Sequence, residues 1–296
     1  WSSDGERIPT SEIANFLRTS DDGSTDQPHP RGTLKPGLAF RQFYDRPTLP
    51  YFDEDGCISA LNNDLGFRDL PFDLAKQPGE LRLLAVGDSF TFGSGVQTED
   101  TWSQALEGML RGERRGPVEV INGGFAAGSH HTEGYVNWIK SDGLDFQPDI
   151  LVIGFCLNDL GPVPMLSYPT KHQERPWLGG VSEILNAIQA NLLLREAKNH
   201  QQPSETITEY FKIQHAESLQ RAMEALTAIH KACQQRQVRM LVAVFPMLTQ
   251  LKIYPLGGLH KLVTEHCKKE GIEAVDLASK FLGREDGELW VHPTDQ

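Results

Sequence analysis

The sequence lacks both the basic surface of a nucleic-acid-binding protein and the long apolar run of a membrane-spanning helix. Asp and Glu number 40 against 28 Lys and Arg, for a formal net charge of −12, whereas a phosphate backbone is bound by faces rich in Lys and Arg. No apolar stretch approaches the ~18 residues of a transmembrane helix, and the longest, ILVIGFCL, has the length of a strand. We therefore expect no nucleic-acid partner and no transmembrane helix within residues 1–296.

The sequence also lacks an initiator methionine. It begins with Trp1, so a signal peptide or a membrane anchor upstream of that residue is left open. Localisation is uncertain on this basis, and we favour an extracytoplasmic location, periplasmic or secreted, over a cytoplasmic one.

Cysteine is scarce, and its spacing indicates neither a zinc site nor a dense disulfide framework. The four cysteines form no CxxC pair and are scattered along the chain: Cys57, Cys156, Cys233 and Cys267. We expect free thiols, with a single Cys233–Cys267 bridge left open. The adjacent His130 and His131 predict no metal site, because their side chains diverge and no Asp, Glu or His spacing completes a ligand set.

Nucleotide-binding motifs are missing as well. Gly93-Ser94-Gly95 lacks the third glycine of GxGxxG, and no GKS or GKT follows it. Both the Rossmann motif and the phosphate loop are therefore absent, and the sequence predicts no cofactor.

Residues 1 to about 80 predict an irregular N-terminal segment. The stretch SDDGSTDQPHPRGTLKPG is rich in Pro, Gly, Ser and Asp, which favour turns and extended backbone. In YFDEDGCISALNNDLGFRDLPF, aromatic residues alternate with DG and ND turn signals, which indicates short strands or hairpins. Its aromatic residues favour a segment packed on a larger core over a free linker.

From Leu81 onwards, short apolar runs alternate with helical patterns. Apolar residues recur at three- and four-residue spacing in 217–233 and 258–270, which predicts amphipathic helices. The alternation predicts an α/β domain over 81–296, with a doubly wound, flavodoxin-like parallel sheet flanked by helices. The apolar runs have the composition of strands buried on both faces: LRLLAV (81–86), VEVI (118–121), ILVIGF (150–155), RMLVAVF (239–245) and EAVD (273–276).

The interval of about 160–237 is too long for one crossover and predicts a helical insertion. We expect one helix in VSEILNAIQANLLLREAK, another over 205–235, and a loop that covers a site.

Polar and glycine-rich segments follow three neighbouring strands of the predicted sheet. GDSF follows the first strand, NGGFAAGSHH the second, and CLND the third. Sites in such sheets form beyond the carboxyl ends of the strands. A hydroxyl, a glycine-rich turn and a carboxamide at one edge predict an acyl-transfer site, with a nucleophile, backbone N–H donors and a side-chain donor.

Ser89 is the hydroxyl of that set. It lies between a strand and the helix expected from about Thr101, and Gly93 and Gly95 keep the turn open. A serine in this place meets exposed N–H groups that favour a developing anion. It is also where serine most often acts as a helix N-cap, so spacing alone leaves both roles open.

Four ordered blocks carry a resemblance to a known family. GDSFTFG after an apolar strand resembles the first block of the GDSL-type, or SGNH, esterase and lipase superfamily. NGGFAAG resembles its second block and GFCLND its third, and NDLGFRD (63–69) resembles a segment upstream of the first block in many bacterial members. The resemblance covers about residues 60–296 and implies an SGNH-type hydrolase domain over 81–296.

The resemblance implies Ser89 as the nucleophile. It further implies an oxyanion hole formed by the N–H of Ser89, the N–H of Gly128 and the amide of Asn158. Gly128 stands six residues after Asn122, where the second block usually places its glycine five residues after the Asn, so Gly124 is the runner-up. Glycine suits this role because it lets a backbone N–H approach the substrate closely.

Two acids next to these residues are expected to support them. Asp88 is expected to brace the turn that carries the serine, and Asp159 to fix the loop of the third block. The acids of GREDGE (283–288) are expected to be solvated. Lys252, Tyr254 and Trp177 are candidates to line the substrate pocket.

The catalytic base is expected at the C-terminal end of the sequence. Family members carry Asp and His close together there, as Asp-x-x-His or Asp-x-His-Pro. Leu289 stands three places before His292, so His292 lacks its acid. Asp295-Gln296 instead predicts an Asp-x-His segment whose histidine follows Gln296, with His292 as the fallback base.

The expected reaction is hydrolysis of a carboxylic ester through an acyl-serine intermediate. A small-molecule or glycan ester is the expected substrate, with short acyl groups such as acetyl on a carbohydrate preferred, because no long apolar lid is present. Two alternatives stay open: an O-acyltransferase that uses the same residues, and a catalytically inactive binding module that lacks the base.

Overall fold

The computed structural model describes residues 31–44, 52–126, 132–161 and 203–290. Several predictions lie outside these ranges, namely those for the helix in 181–198 and for Gly128, His130, His131, Trp177, His292 and Asp295.

A five-stranded parallel sheet forms the centre of the molecule. Ahead of it in the chain, β1 (Ala39–Phe43) and β2 (Cys57–Leu61) form an antiparallel pair. β2 lies in the stretch 51–72 where short strands or hairpins were expected, whereas β1 precedes that stretch. The strands of the sheet are β3 (Leu81–Gly87), β4 (Val118–Gly124), β5 (Ile150–Cys156), β6 (Arg239–Phe245) and β7 (Glu273–Asp276). Their order in the sheet is β4-β3-β5-β6-β7, which confirms the predicted doubly wound α/β class.

Helices cover both faces of this sheet. The helices are α1 (Ser89–Phe92), α2 (Trp102–Glu113), α3 (Thr132–Ser141), α4 (Pro203–Gln214), α5 (Ala216–Gln235), α6 (Gly257–Glu270) and α7 (Ala278–Phe281). On one face, α3, α5 and α6 pack over Leu84, Val86 and Ile153, and on the other α2 packs through Trp102 and Leu106. Single 3₁₀ turns occupy Thr98–Asp100, Gly143–Phe146, Leu157–Leu160, Leu251–Ile253 and Asp286–Glu288.

The helix predicted over 205–235 is wrong as a single element. The chain breaks at His215, whose ring lies 4.8 Å from that of Phe211, and the two helices take different partners. In α4, Ser204 Oγ accepts the N–H of Gly258 at 2.7 Å, whereas α5 faces α3, where Arg221 lies 3.7 Å from Glu133. Within the described ranges no helix has the length and apolar character needed to cross a membrane.

The outer edge of β4 is closed by side chains. The N–H of Val120 donates to Glu107 Oε2 at 2.7 Å, and the N–H of Asn122 donates to Asp69 Oδ2 at 2.7 Å. Both carboxylates are almost fully buried. Two of the N–H groups that an edge strand would leave open therefore have partners within the molecule.

Described parts of the 1–80 segment pack on this core. The ring of Phe40 in β1 stacks on that of Phe92 with 6.1 Å between centroids, and Phe67 is fully buried against Trp138 and Phe146. The four cysteines are buried free thiols, so the Cys233–Cys267 bridge left open by the sequence is not formed.

Candidate active site

The carboxyl ends of β3, β4 and β5 bring the candidate residues to one edge of the sheet. Gly87 at the end of β3 pairs with Gly124 of β4 on one side and with Gly154 of β5 on the other. Ser89 and Asn158, which follow β3 and β5, are joined by Asp88, whose Oδ2 accepts an amide hydrogen of Asn158 at 2.8 Å. The proximity that the sequence predicted for these side chains follows directly from the strand order.

Ser89 is the first residue of α1, and it is not the N-cap. The cap is Asp88, whose Oδ1 accepts the N–H of Phe90 at 3.0 Å. The capping alternative for Ser89 is therefore wrong, because its neighbour already fills that role. Ser89 itself is half-buried, and Gly93 ends the helix with a left-handed φ of 81°.

Asp88 supports the edge of the sheet that carries Ser89 and Asn158. Its side chain is almost fully buried, and burial raises its pKa, while the hydrogen bonds from Asn158 and Phe90 act in the opposite direction. One carboxylate thus fixes both the start of α1 and the carboxamide that follows β5, as expected of a bracing residue.

Asn158 presents an exposed carboxamide on the 3₁₀ turn after β5. One of its two amide hydrogens is directed to Asp88, and a carboxamide has a second to offer. The turn is held by Asp159, whose Oδ1 accepts the hydroxyl of Tyr135 at 3.0 Å and whose Oδ2 accepts the N–H of Cys156 at 3.2 Å. Burial and the nearby Asp88 raise the pKa of Asp159 well above its usual range.

Gly124 is committed to packing. Its N–H donates to Asn122 Oδ1 at 3.0 Å, and its carbonyl accepts the hydroxyl of Thr33 at 3.0 Å. A Cβ at this position would overlap the backbone of Phe92 in α1. These contacts disfavour Gly124 as the oxyanion donor and leave Gly128, which lies outside the described residues, as the candidate.

Sequence reasoning missed a buried histidine network at the same edge. His260 on α6 is 1% exposed, its Nδ1 lies 2.7 Å from Asp276 Oδ1 at the end of β7, and its Nε2 lies 2.9 Å from the hydroxyl of Tyr254. Tyr254 also accepts the N–H of Met247 at 3.1 Å. Because both ring nitrogens are engaged, this Asp–His pair is a structural tie. The available signal was the position of His260 three residues before Val263 and seven before Cys267, which puts it on the apolar face of the helix.

The chain after β7 is fastened to the loop after β6. Asp286 accepts the N–H groups of Gln250 at 2.7 Å and Leu251 at 2.9 Å, and Trp290 Nε1 donates to the carbonyl of Leu248 at 2.6 Å. The expectation that the acids of 283–288 are all solvated is therefore wrong for Asp286. These bonds hold the segment that leads to residues 291–296 beside the carboxyl end of β6.

The candidate pocket residues after β6 have other partners. Lys252 is exposed and pairs with Glu285, and Tyr254 is half-buried in the histidine network.

Most of the chain matches the model of one protein family. Residues 85–296 match the model of the GDSL-like Lipase/Acylhydrolase family, and no curated protein matches the sequence.

Solved structures of similar proteins include three esterases or lipolytic proteins. AlinE4, an SGNH-hydrolase family esterase, is 20% identical over 74% of this chain and 89% of its own, with a TM-score of 0.43. A lipolytic protein of the G-D-S-L family from Desulfitobacterium hafniense DCB-2 is 15% identical over 69% and 82%, with a TM-score of 0.40. A two-domain esterase (CEX) active on acetylated mannans is 13% identical over 68% and 38%, with a TM-score of 0.39.

Since the family model spans residues 85–296, well over half of the chain, the chain belongs to the GDSL-like lipase/acylhydrolase family and is a carboxylic ester hydrolase.

Proposed function

We propose that the protein hydrolyses its ester through an acyl-enzyme formed on Ser89. The observation that carries the proposal is the link from Asp88 to Asn158 across 2.8 Å. This hydrogen bond supports the proposal because it ties the exposed amide of Asn158 to the residue before Ser89, at the start of α1, where a serine hydroxyl and backbone N–H groups meet. A nucleophile and an oxyanion donor held at one edge are what acyl transfer requires.

In the proposed reaction, a histidine takes the proton of Ser89 Oγ while the oxygen attacks the acyl carbon. The carbonyl oxygen becomes an oxyanion that accepts hydrogen bonds from the N–H of Ser89, the second amide hydrogen of Asn158 and the N–H of Gly128. The tetrahedral intermediate collapses, and the alcohol leaves with the proton. Water then attacks the acyl-serine by the same route and releases the carboxylic acid and free Ser89.

We propose Asp295 as the acid that orients the base, with the base next after Gln296 and His292 as the fallback. The hydrogen bonds of Asp286 and Trp290 support this proposal. They hold the segment that precedes residue 291 at the carboxyl edge of the sheet, the edge at which Ser89 lies. An acid placed there would keep the imidazole in the tautomer that accepts the serine proton.

The proposed substrate is a short acyl ester, such as an acetyl group on a carbohydrate. The net charge of −12 suits a neutral glycan better than an anionic lipid surface. A series of chromogenic esters tests this: kcat/KM should be highest for acetyl and fall as the acyl chain lengthens. A rise with chain length would contradict it, and transfer to added oligosaccharide in preference to water would indicate an acyltransferase.

The nucleophile is tested by labelling with a fluorophosphonate, which reacts quickly only with an activated hydroxyl. We expect one label per molecule on wild type, and none on Ser89→Ala. Ser94→Ala is the matched control, because Ser94 lies in the same turn and donates its N–H to the carbonyl of Ser89; it should label like wild type. A label that persists on Ser89→Ala would disprove the assignment.

The proposed acid is tested by comparing Asp295→Asn with His292→Ala. Asp295→Asn should lower kcat by about 10⁴-fold, the loss seen when a triad aspartate is replaced by its amide. His292→Ala should retain kcat within a few-fold. The reverse pattern would make His292 the base.

A further inference from the structure

A buried arginine contacts the helix that begins with Ser89. Arg68 is 1% exposed, and its Nη1 donates to the carbonyl oxygens of Phe92, at 3.0 Å, and of Gly93. Its Nη2 donates to the carbonyl of Val96, and the guanidinium carbon lies 4.9 Å from the centroid of the Phe92 ring. The guanidinium thus binds the carboxyl end of α1 and the turn that follows.

The helix α1 depends on such contacts. It has only four residues, far fewer than the ~12–15 that an isolated helix needs in water. The last carbonyl groups of a helix have no partner within it, and Arg68 supplies donors for them. Phe92 stands three residues after Ser89, about 4.5 Å along the axis at 1.5 Å per residue, so a shift at that end moves the serine.

The backbone on either side of Arg68 is anchored separately. Phe67 is buried in the main core, and Asp69 accepts the N–H of Asn122 at 2.7 Å and the side-chain amide of Gln104 at 2.8 Å. Asn63 Oδ1 accepts the N–H of Phe67 at 3.0 Å. The guanidinium therefore projects from a rigid support into α1.

We infer that Arg68 is a positioning residue that sets the place of Ser89 by holding the carboxyl end of α1, an inference that rests on the proposed role of Ser89. The segment 68–69 links two parts of the edge, since Arg68 holds the turn after β3 and Asp69 holds the backbone of β4 just before Gly123-Gly124.

A second buried arginine provides the matched control. Arg82 is also 1% exposed, and its guanidinium donates to the carbonyls of Leu74 at 2.9 Å, Phe146 at 3.1 Å and Asp73 at 2.8 Å, and to Glu80 at 2.6 Å. It lies near the amino end of β3, away from α1. Loss of its guanidinium should destabilise the fold at least as much, because the buried Glu80 would lose its cation.

The experiment compares Arg68→Met, Arg68→Lys and Arg82→Met with wild type, well below the melting temperature of each. Measured quantities are kcat and KM for one chromogenic ester, and the second-order rate of fluorophosphonate labelling. For Arg68→Met we expect kcat and the labelling rate to fall together by about 10- to 100-fold, as for a displaced reacting atom, with KM within about twofold. Arg68→Lys retains the charge but not the planar set of guanidinium donors, so its kcat and labelling rate should fall less.

Arg82→Met should keep both rates within about threefold of wild type. The inference is overturned if Arg68→Met retains wild-type rates, or if Arg82→Met loses as much. Should Arg68→Met not fold, Arg68→Lys decides: rates equal to wild type overturn the inference, and a joint fall of several-fold supports it. Labelling of wild type at another residue would instead show that the proposed nucleophile is wrong, before any arginine variant is considered.

Discussion

The exposed side-chain amide of Asn158 donates one hydrogen to Asp88, and its other hydrogen is proposed to bind the oxyanion. Replacement by alanine removes both hydrogens, and the two losses are read in different measurements. Asn158→Ala should lower kcat by ~10²–10³-fold, the loss typical of one oxyanion donor. It should also cost about 1–3 kcal/mol of unfolding free energy, because the buried carboxylate of Asp88 loses a donor.

Steady-state kinetics and thermal unfolding of Asn158→Ala measure the two effects. An unchanged kcat with a raised KM would make Asn158 a binder of the ground state, contrary to the proposal. The fold should persist in either case, because the side chain lies at the surface.

The positions of Ser89 and Asn158 at one edge of the sheet were predictable, because each follows a strand and strand ends can be read from apolar runs. Their catalytic roles stay proposals. The contacts of Arg68 and Asp286 were not predictable, because each binds backbone groups of a distant segment: Arg68 bonds carbonyls 24 to 28 residues away, and Asp286 bonds N–H groups 35 and 36 residues away. Any residue has such groups, so spacing does not reveal these contacts, although Arg68 lies in the NDLGFRD block (63–69) that carries part of the resemblance. Gly128, His292 and Asp295 stay predictions.

Among the elements, α1 lies so close to β4 that only glycine fits between them. In Gly124→Ala the added methyl group meets the backbone of Phe92, which cannot rotate away as a side chain would. We expect a loss of about 1–3 kcal/mol, the usual cost of overpacking, together with lower activity as α1 is displaced. Thermal unfolding and ester hydrolysis measure the two.

Gly108→Ala is the control for that variant. Gly108 lies within α2, and an added Cβ there has no neighbour within 4 Å. It should stabilise the protein by about 0.5–1 kcal/mol, because alanine favours a helix over glycine. If Gly124→Ala were as stable as Gly108→Ala, the close contact of α1 with β4 would be refuted.

All five strands of the sheet were predicted from their apolar runs. Four of them are largely buried, which leaves an almost unbroken apolar pattern. The expectation that EAVD is buried on both faces is wrong, because all four residues of β7 are exposed at the border of the sheet. Short or interrupted helices were not predicted. α1 has too few residues to show a helical period. The break at His215 was missed because no Gly or Pro marks it, and it reflects the different partners of α4 and α5.

For the molecule as a whole, acids in and beside β4 make stability depend on pH. Burial, together with the nearby Glu107 and Asp69, raises the pKa of Glu119 to about 8. Burial also raises the pKa of Asp69 to about 7, although hydrogen bonds from the N–H groups of Asn122 and Leu70 act against it. The folded protein therefore holds protons that the unfolded chain releases near pH 4.

Proton linkage gives the direction in which stability changes with pH. Where the folded state binds more protons, the free energy of unfolding decreases as pH rises. The stability that these protonated acids contribute is therefore fully present below about pH 4 and is lost as the pH rises past 8. Glu119→Gln removes one such acid, and its melting temperature should fall less between pH 6 and 9 than that of wild type. Glu113→Gln, at the exposed end of α2, should follow wild type. Parallel curves for Glu119→Gln and wild type would contradict the assignment.

The two borders of the sheet differ in their capacity for self-association. Along β4, the N–H groups of Val120 and Asn122 already have partners in Glu107 and Asp69, so a strand from another molecule could add there only by displacing two buried carboxylates. The border at β7 is a four-residue strand with an acid at each end, Glu273 and Asp276, and short charged edges repel further strands. Growth of the sheet into a fibril is thereby opposed on one side by hydrogen bonds that the edge strand already makes, and on the other by the short length and the acids of the edge strand.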